Sequence, residues 1–365
     1  MRIAQLISAR LLNGAARLAL NLSEALAERG HEVLVMHRPE LGSLQAPGVR
    51  FAEVGFRRSL GELAGLARRL DDEGVEVIHT HMSSAHATGV LLRLWRGIPA
   101  VATAHSRHFQ PHWAFNDQVI APSQSTADYQ RRVNFVSSRR LTVIPNFVDA
   151  RAITQATPEG RAEARRRLGV DADALVIGQV ADITANKRPS DLVAAARPLL
   201  EARADAVVLL VGADLDAGET ARVRLAAEGL GDRVRLLGRR PDIGAILAGF
   251  DIFALTSLSE ESPMAILEAM TAGLPVAATD VGGVGELAPE GLAALLSPAG
   301  DPAALATNLK RLSDDPGLRR RLGEAGRARA LADYARDPIV TRIEQVLGAA
   351  AAVRPGWAGR RARPH

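Results

Sequence analysis

The chain has 365 residues, of which 47% are hydrophobic and 24% charged, with a formal net charge of +4. That length exceeds one ordinary hydrophobic core and suits two, and no apolar run reaches the roughly 18 residues of a membrane-spanning helix. The absence of cysteine excludes disulfides and thiolate metal sites and fits a cytoplasmic protein. Arginines are spread along the chain, aromatic residues make up only 4%, and no nucleic-acid-binding motif occurs, so no nucleic-acid partner is predicted.

Short apolar runs alternate with helical patterns along the chain, which is typical of parallel sheets with crossover helices. The first series of predicted strands is 2–8, 32–37, 76–80, 99–104, 117–121 and 141–144, with helices at 15–29, 60–72, 84–96 and 123–134. A polar, proline-containing stretch at 149–160 predicts a linker. The second series of strands is 175–181, 206–212, 233–237, 251–255, 275–279 and 292–296, followed by helices at 301–313, 316–331 and 336–352.

This order predicts an α/β protein with two doubly wound, Rossmann-like domains that face a cleft. The predicted parts are a first domain at 1–150, a second domain at 151–334, a helix at 335–352 that returns to the first domain, and an Arg-rich disordered tail at 353–365. Ligands of such sheets bind beyond the carboxyl ends of the strands. The loops after the strands are therefore the candidate site.

One motif predicts two carboxylates in different settings. Glu260 and Glu268 have seven residues between them, and Pro263 lies in that interval. Because proline suits the first helical turn, Glu260 is predicted in a loop and Glu268 more than a turn inside the following helix. Free N–H groups at the helix start attract phosphate. The combination fits a molecule with hydroxyls at both ends and phosphate in the middle, such as a nucleotide-sugar.

A second motif predicts a diphosphate-binding cation. Gly178 is predicted to end a buried strand, and Lys187 and Arg188 follow it in a loop before a helix capped by Ser190 or Asp191. A positive charge beside a helix N-terminus suits a diphosphate. Because the chain has only two lysines, we interpret Lys187 as a functional cation rather than as a solvated loop residue.

Two segments of the first domain carry weaker signals. Asn13 and Gly14 open the first helix, where backbone N–H groups can face a ligand, although a plain tight turn explains them equally well. His105 follows a strand and is predicted to point into the cleft. The spacing of His105, His108 and His112 could suggest a metal, but no carboxylate converges on them, so no metal is predicted and surface positions are favoured for His108 and His112.

The segment Leu91–Arg96 combines apolar side chains with arginines at a helix end. We favour a core helix with arginines that reach outward to solvent, and the alternative is a contact with a membrane surface. The basic first domain and the Arg-rich tail also favour an anionic membrane surface as a partner. The predicted location is therefore cytoplasmic, with a peripheral position on the inner face of the membrane as an extension of that prediction.

With these motifs together, the chain resembles a retaining glycosyltransferase of the GT-B fold, family 4, of the bacterial surface-polysaccharide type. The resemblance extends from Ile3 to about Tyr334. Its most specific parts are the pattern S-x-x-E-x-x-P-x-x-x-L-E-A-M-x-x-G-x-P-V around Glu260 and Glu268, the segment V-I-P-N-F-V-D at 143–149, and the loop from Gly178 to Lys187. These motifs are specific for the fold and the broad reaction but not for the substrate.

The resemblance implies roles for individual residues. Glu260 would contact hydroxyls of the donor sugar, Glu268 would contact the ribose, and Lys187 would neutralise the diphosphate with Arg188 as a candidate second cation. The backbone at Arg239 would meet the base. The backbone that would meet the sugar and phosphates is formed by Ser262, Pro263, Met264 and Ala265. Gly178 would also belong to the donor-binding site. Gly14 and His105 would line the reacting centre from the first domain, where Asn13 and Gly14 would form a loop for acceptor or phosphate.

The resemblance also implies chemistry without a metal or other cofactor, in which the leaving phosphate oxygen takes the acceptor proton. The chain departs from the family pattern at several positions. Asp182 stands where a second cationic Arg is usual, and Ala15 follows Gly14 where a Glu is common. Phe147 and Glu261 replace two usual glycines.

The leading function is transfer of a sugar from a nucleotide-sugar donor to a glycan or lipid-linked acceptor in surface polysaccharide or lipopolysaccharide synthesis. One alternative is a nucleotide-sugar epimerase or a sugar phosphorylase of the same architecture, which would yield an epimer or a sugar phosphate from the donor. Another is a nucleotide-binding scaffold without turnover, which Asp182 in place of a cation would suit.

Overall fold

The computed structural model describes residues 1–155 and 157–353. Within it the chain forms two compact units. Among the described residues, unit 1 contains 1–146 and 337–353, and unit 2 contains 147–155 and 157–336. Each unit has its own parallel sheet and its own hydrophobic core.

Residues 147–150 belong to unit 2, whereas the sequence predicted that the first domain ends at residue 150. The Val148 N–H donates to the Tyr334 carbonyl oxygen over 3.0 Å, and Val148 also forms a parallel bridge with Ala335. These backbone contacts join the segment to the end of unit 2. The predicted Arg-rich tail from 354 onward lies outside the described residues.

The structure contains strands and helices that alternate along most of the described chain. The strands are β1 (Arg2–Ile7), β2 (Glu32–His37), β3 (Val49–Glu53), β4 (Val77–His81), β5 (Ala100–Thr103), β6 (Gln118–Ala121), β7 (Leu141–Val143), β8 (Leu175–Val180), β9 (Ala206–Val211), β10 (Val234–Leu236), β11 (Ile252–Leu255), β12 (Val276–Thr279) and β13 (Ala294–Ser297). The α-helices are α1 (Gly14–Glu28), α2 (Leu60–Asp72), α3 (Ser83–Arg96), α4 (Gln124–Val133), α5 (Pro158–Leu168), α6 (Pro189–Ala202), α7 (Ala217–Ala226), α8 (Ile243–Ile246), α9 (Met264–Ala272), α10 (Val284–Leu287), α11 (Pro302–Asp314), α12 (Pro316–Asp333) and α13 (Arg336–Ala352).

The sheet of unit 1 has the strand order β3-β2-β1-β4-β5-β6-β7, with parallel neighbours throughout. Strand β3 is absent from the sequence-based prediction. Of its residues only Ala52 is buried, and a half-exposed edge strand lacks the continuous apolar run by which a parallel strand is recognised. The sequence therefore indicated the interior strands and the edge strand β7, and it missed the other edge strand, β3.

Helix α13 belongs to unit 1 for most of its length. Glu344 on this helix accepts hydrogen bonds from Arg29 Nη1 over 3.0 Å and lies 2.7 Å from His31 Nε2. Arg342 donates over 2.6 Å to the carbonyl oxygen of Val143, which lies on the edge strand β7. These contacts attach the end of the described chain to its beginning.

The sheet of unit 2 has the order β10-β9-β8-β11-β12-β13, also with parallel neighbours. Helix α5 begins inside the stretch predicted as a linker, because Thr157 caps it, Pro158 occupies its first turn and a left-handed Gly169 ends it. Arg165 of α5 is buried and donates to Asp251 over 2.8 Å. An N-terminal helix of unit 2 is thereby joined to the start of β11.

In each sheet the strand order reverses at one place, between β1 and β4 in unit 1 and between β8 and β11 in unit 2. The crossover helices leave in opposite directions from such a point and open a crevice beyond the strand ends, where ligands of doubly wound sheets bind. The loops that follow these four strands therefore border the two crevices.

Candidate functional site

In unit 2, the loops after β8 and β11 bring together two of the side chains that the sequence singled out, one from each of its two main motifs. The Lys187 ammonium forms an ion pair with Oε1 of Glu260. Glu260 is buried, and Ser257 Oγ donates to the same Oε1 over 2.6 Å. Lys187 remains partly exposed. A buried carboxylate is thus compensated by one cation and one hydroxyl, as a buried charge requires.

The two loops are also joined through their backbones. The Gln179 side-chain amide donates to the Lys187 carbonyl oxygen over 3.2 Å, and the Thr256 hydroxyl lies 2.9 Å from the same oxygen. The Leu258 N–H donates to the Asn186 carbonyl oxygen over 2.8 Å. Gln179 and Thr256 were not predicted as site residues, although a buried polar residue in an apolar strand is the signal that could have identified Gln179.

Helix α9 follows Glu260 as the spacing predicted. Pro263 stands at its N-cap position and Met264 is its first residue, so Glu260 lies in the preceding loop. Ser262 is buried beside this helix start. Glu268 is half-buried and lies four residues after Met264 and three after Ala265, a spacing that puts all three on one face of the helix.

The N-terminal turn of α9 supplies a feature that the side chains alone do not. Backbone N–H groups in the first turn of a helix have no intrahelical acceptor, and the aligned peptide dipoles make that end positive. This positive end of α9, at Met264, follows Glu260 by four residues in the sequence. Glu268 lies one helical turn further along α9. Carboxylates flank a positive helix end, which is the arrangement predicted for a nucleotide-sugar.

Gly178 occupies a different place in its strand from the one predicted. It lies inside β8 rather than at its end, and a Cβ added there would be 2.0 Å from the Phe250 ring. Phe250 is fully buried. The absence of a side chain at this position therefore makes room for a core aromatic ring, and the donor-binding role of Gly178 stays a prediction.

Arg188 precedes α6 with a left-handed backbone, at φ 44°. The sequence predicted Ser190 or Asp191 as the cap of this helix, but both lie within its first turn and the helix has no side-chain cap. Asp191 instead receives two hydrogen bonds from the Arg188 guanidinium, at 2.6 and 2.8 Å. This pairing raises the pKa of Arg188 and occupies the side chain that was the candidate second cation.

Asp182, which stands where a cation was expected, has two partners. It accepts a hydrogen bond from the Ala213 N–H over 2.9 Å, and its carboxylate lies 3.4 Å from the Arg239 guanidinium. Arg239 follows Gly238, whose φ is 65°. Asp182 therefore holds the loop after β9 and the side chain of Arg239 in one cluster beyond the strand ends.

In unit 1, Asn13 and Gly14 begin helix α1 after β1. The Asn13 side-chain oxygen caps the helix by accepting from the Ala16 N–H over 3.0 Å. Asn13 and Gly14 are both exposed. Their observed contacts are those of a capped helix start, with the backbone of this turn open to solvent.

The histidines of unit 1 form a buried network that the sequence did not predict. His81, at the end of β4, joins His105 through Nδ1 to Nε2 over 2.8 Å and joins Gln5 Oε1 through its own Nε2 over 2.8 Å. His79 Nε2 lies 2.8 Å from the Thr103 hydroxyl. His105 is only partly exposed. These side chains come from β1, β4 and β5, next to the point where the strand order reverses.

The network is electrically neutral. Burial, together with repulsion from His105, lowers the pKa of His79 from 6.5 to about 3, and burial lowers the pKa of His105 from 6.5 to about 4. Burial and the neighbouring imidazoles lower the pKa values of His81 and His86 well below their ordinary range. At neutral pH each of these rings therefore has one N–H donor and one acceptor nitrogen.

His108 is exposed, as predicted, whereas His112 is half-buried and its Nε2 is enclosed. No group of three or more His, Cys, Asp or Glu side chains suited to a metal ion occurs in residues 1–155 and 157–353. The His86 ring packs against the Trp113 ring, with their centroids 4.1 Å apart.

Helix α3 exposes part of the segment that the sequence assigned to the core. Leu92 is fully buried, but Leu94 is 59% and Trp95 56% exposed. Arg93 does not reach outward to solvent, because its guanidinium donates twice to Asp117 at 2.7 Å. The prediction of a core segment was wrong for the outer face. Within the described part of the chain, no helix is long and apolar enough to cross a membrane.

Comparison with known proteins agrees with this architecture. The Glycosyltransferase Family 4 model matches residues 12–152, and the model described as Glycosyl transferases group 1 matches residues 160–329. The structure of Anabaena HepE in complex with UDP and glucose is similar with a TM-score of 0.82 at 23% identity, covering 96% of this chain and 100% of that one. Sucrose-phosphate synthase from Thermosynechococcus elongatus has a TM-score of 0.83 at 23% identity, with 97% and 100% coverage.

Curated relatives are similar over most of their length. The D-inositol 3-phosphate glycosyltransferase of Actinosynnema mirum is 32% identical, covering 82% of this chain and 83% of the relative. The N-acetyl-alpha-D-glucosaminyl L-malate synthase of Bacillus anthracis is 24% identical, covering 92% and 93%. An Escherichia coli UDP-Gal:alpha-D-GlcNAc-diphosphoundecaprenol alpha-1,3-galactosyltransferase is 26% identical, covering 72% of each.

Two parallel, doubly wound sheets with these structural neighbours define an α/β protein of the GT-B fold. The matches to both halves and the identity to full-length relatives go further. The chain belongs to the family 4 glycosyltransferases of the GT-B fold.

Proposed function

We propose that this glycosyltransferase moves a sugar, with retention of configuration and without a metal, from a nucleotide-sugar to a glycan or lipid-linked acceptor in surface polysaccharide or lipopolysaccharide synthesis. The observation that carries the proposal is the Lys187–Glu260 ion pair next to the N-terminal end of α9, with Glu268 one turn further on. The HepE complexes with UDP and UDP-glucose support a nucleotide-sugar donor. The relative named for a diphosphoundecaprenol substrate supports a lipid-linked acceptor.

In this proposal the donor exchanges partners with the ion pair. Its diphosphate takes Lys187 and the N–H groups at the start of α9, because both attract anions. Its sugar hydroxyls then donate to Glu260, so that the buried carboxylate keeps compensating hydrogen bonds when the ammonium turns away. Glu268 receives the ribose hydroxyls. The backbone at Arg239 meets the base, and Asp182 holds that residue's side chain aside.

The same groups provide the chemistry of the transfer. As the bond from the anomeric carbon to the diphosphate breaks, negative charge grows on the leaving phosphate oxygen. Lys187 and the helix end stabilise that charge where it develops, so no metal is required. The phosphate oxygen takes the proton of the attacking acceptor hydroxyl on the same face of the sugar, which gives retention. His105 contributes from unit 1 as a neutral hydrogen-bonding group, and the turn at Asn13 and Gly14 offers backbone N–H groups to acceptor or phosphate.

A small anionic acceptor is the second candidate. The relatives that are 32% and 24% identical are named for transfer involving D-inositol 3-phosphate and L-malate, both small anions. An acceptor of this kind would not require a membrane. The donor side of the proposal is the same for both candidates.

A membrane position is the further part of the proposal for the lipid-linked candidate. Leu94 and Trp95 are exposed on α3, and the Arg96 guanidinium lies 5.7 Å from the centre of the Trp95 ring. An apolar and aromatic face edged by arginine suits the boundary of an anionic lipid layer. This would hold the enzyme at the inner face of the membrane.

The test begins with the donor. A thermal-shift screen with UDP-, GDP- and ADP-sugars identifies the base, since a ligand that binds only the folded state raises the melting temperature. Kinetics with the donor so found are then measured for Glu268→Ala and Glu260→Ala. Loss of a charge-assisted hydrogen bond costs about 1.5–3 kcal/mol, or roughly 10- to 100-fold.

We expect Glu268→Ala to weaken nucleotide binding and Glu260→Ala to lower kcat. Glu201→Ala serves as the matched control, because Glu201 is 57% exposed and pairs only with Arg197 at 3.1 Å among the described contacts. Unchanged kinetics in both site variants would contradict the proposal. Release of an epimer or a sugar phosphate from donor alone would favour the epimerase or phosphorylase instead.

A further inference from the structure

We propose that His81 and Gln5 are positioning residues for His105, and that through them His105 presents Nδ1 as a hydrogen-bond acceptor to a hydroxyl of the reacting sugars. The proposal rests on the proposed role of His105 in sugar transfer, and it adds the tautomer and the orientation of the His105 ring. Its basis is a continuous line of side chains in unit 1, from Gln5 on β1 through His81 on β4 to His105 after β5.

The series of hydrogen bonds begins at Gln5 Oε1, an amide oxygen that can only accept a hydrogen bond. Gln5 Oε1 lies 2.8 Å from His81 Nε2, so His81 must carry its proton on Nε2. Nδ1 of His81 then has a lone pair, because burial keeps the pKa of this imidazole well below its ordinary range and the ring is neutral. The hydrogen bond of 2.8 Å to His105 therefore runs from His105 Nε2–H to His81 Nδ1.

The consequence for His105 follows directly. Its single proton is used in the bond to His81, since the pKa of His105 is lowered to about 4 and the ring is neutral near pH 7. Nδ1 is then the nitrogen with the lone pair. A neutral histidine whose other nitrogen is fixed by a partner has a defined tautomer and orientation, and here that leaves an acceptor for a hydroxyl rather than a proton donor.

The contacts of His105 fix the orientation of its ring as well as the position of its proton. The rings of His81 and His105 meet edge to edge, with centroids 5.2 Å apart and 27° between their planes, as their hydrogen bond requires. The backbone N–H of His105 donates to the Thr103 carbonyl oxygen over 3.1 Å, which fixes the backbone at the end of β5. His81 is 1% exposed and is enclosed by its own sheet, so it acts on a substrate only through His105.

Gln5 indicates that the line serves more than stability. Gln5 is fully buried, and its Nε2 has no hydrogen-bond partner among the described residues. A buried donor without a partner is destabilising relative to an apolar side chain of the same shape. A residue that contributes this atom at a cost, while its oxygen orients His81, fits a positioning role.

The first experiment measures the protonation directly on the full chain. In protein with 15N-labelled histidine rings, the 15N shifts of His81 and His105 are assigned by loss of signals in His81→Phe and His105→Ala. We expect both rings to carry the proton on Nε2 at pH 7 without any ligand. A His105 ring protonated on Nδ1, or on both nitrogens, would overturn the inference, and this result does not depend on whether the protein transfers sugar.

The second experiment changes Gln5. Gln5→Met keeps the length of the side chain and removes the acceptor, so His105 should become a mixture of tautomers and kcat should fall about tenfold, the low end of the loss when an orienting partner of a histidine ligand is removed in metal sites. KM for the nucleotide-sugar should stay within about twofold. Gln5→Glu retains an acceptor toward His81 Nε2 and should restore both the Nε2 tautomer and most of kcat.

Two controls separate positioning from packing. His86→Gln alters a buried ring of the same unit that bonds Thr80 and not His105, and it should leave the His105 tautomer unchanged. In a His105→Ala background, Gln5→Met should cause no further loss of kcat, because its effect passes through the missing ring. A further loss there, or equal tautomer changes in Gln5→Met and His86→Gln, would show that Gln5 acts only through packing and would refute the proposal.

Discussion

The buried histidines of unit 1 predict a specific sensitivity to mild acid. His79 is fully buried, and its pKa is lowered from 6.5 to about 3 by burial and by repulsion from His105. In the unfolded chain the same ring takes up a proton as the pH falls below 6.5, whereas in the folded protein it stays neutral. The stability associated with the neutral ring is therefore complete above pH 6.5 and is lost as the pH falls toward 3.

The size of the effect follows from proton linkage. A ring that is half-protonated at 6.5 when unfolded and neutral when folded reduces the free energy of unfolding by about 2 kcal/mol between pH 7 and pH 5. His81 and His86 are likewise buried with strongly lowered pKa values. Their titration adds to the loss in the same direction, and the contribution of His79 alone is already a sizeable part of the whole stability of many domains, about 5–15 kcal/mol.

The assay is urea unfolding of the full chain at pH 7, 6 and 5, followed by tryptophan fluorescence. Trp113 is buried in unit 1 against the His86 ring, so its transition reports on the unit that contains the network. We expect its midpoint to fall steeply between pH 7 and 5. Most carboxylates titrate at lower pH, which separates their contribution from that of the histidines.

A variant isolates the contribution of one ring. His79→Asn removes a titrating group, and whatever its stability at pH 7, its loss of stability between pH 7 and 5 should be about 2 kcal/mol smaller than in the wild type. The control is His108→Asn, because His108 is exposed, and its pH dependence should match the wild type. Equal pH dependence in His79→Asn and the wild type, or a wild-type midpoint that does not change down to pH 5, would refute the reasoning.

Three further predictions follow from other features. Gly178→Ala should destabilise the protein by about 1–3 kcal/mol, as overpacking does, because its Cβ would meet the Phe250 ring; Gly178→Ala/Phe250→Leu should recover part of the loss, and an equally stable single variant in urea unfolding would contradict the packing role. Transfer activity should persist in EDTA, and full loss that Mn²⁺ or Mg²⁺ restores would exclude the metal-free proposal. Co-sedimentation with anionic vesicles at low salt should exceed that with neutral ones and should weaken in Leu94→Ser/Trp95→Ser; equal binding to both vesicles would favour the small soluble acceptor.

The sequence alone determined the class of fold and the kind of chemistry. Interior parallel strands are near-continuous apolar runs, and caps, prolines and glycines mark helix ends within a few residues, so these features are local and legible. The setting of Glu260 in a loop and Glu268 on a helix followed from Pro263 for the same reason. The edge strand β3 and helix α5 escaped prediction because one is half-exposed and the other begins inside a stretch that reads as a polar linker.

What the tertiary structure decided is which distant residues meet. Lys187 and Glu260 are 73 positions apart, and Gln5 and His81 are 76 apart, so their contacts depend on strand order and not on local pattern. The same holds for Gly178, whose need for a small side chain arises from the Phe250 ring far along the chain. Protonation states depend on this packing too, because burial sets the pKa values of the histidines, and burial is a property of the folded sheet rather than of any segment within it.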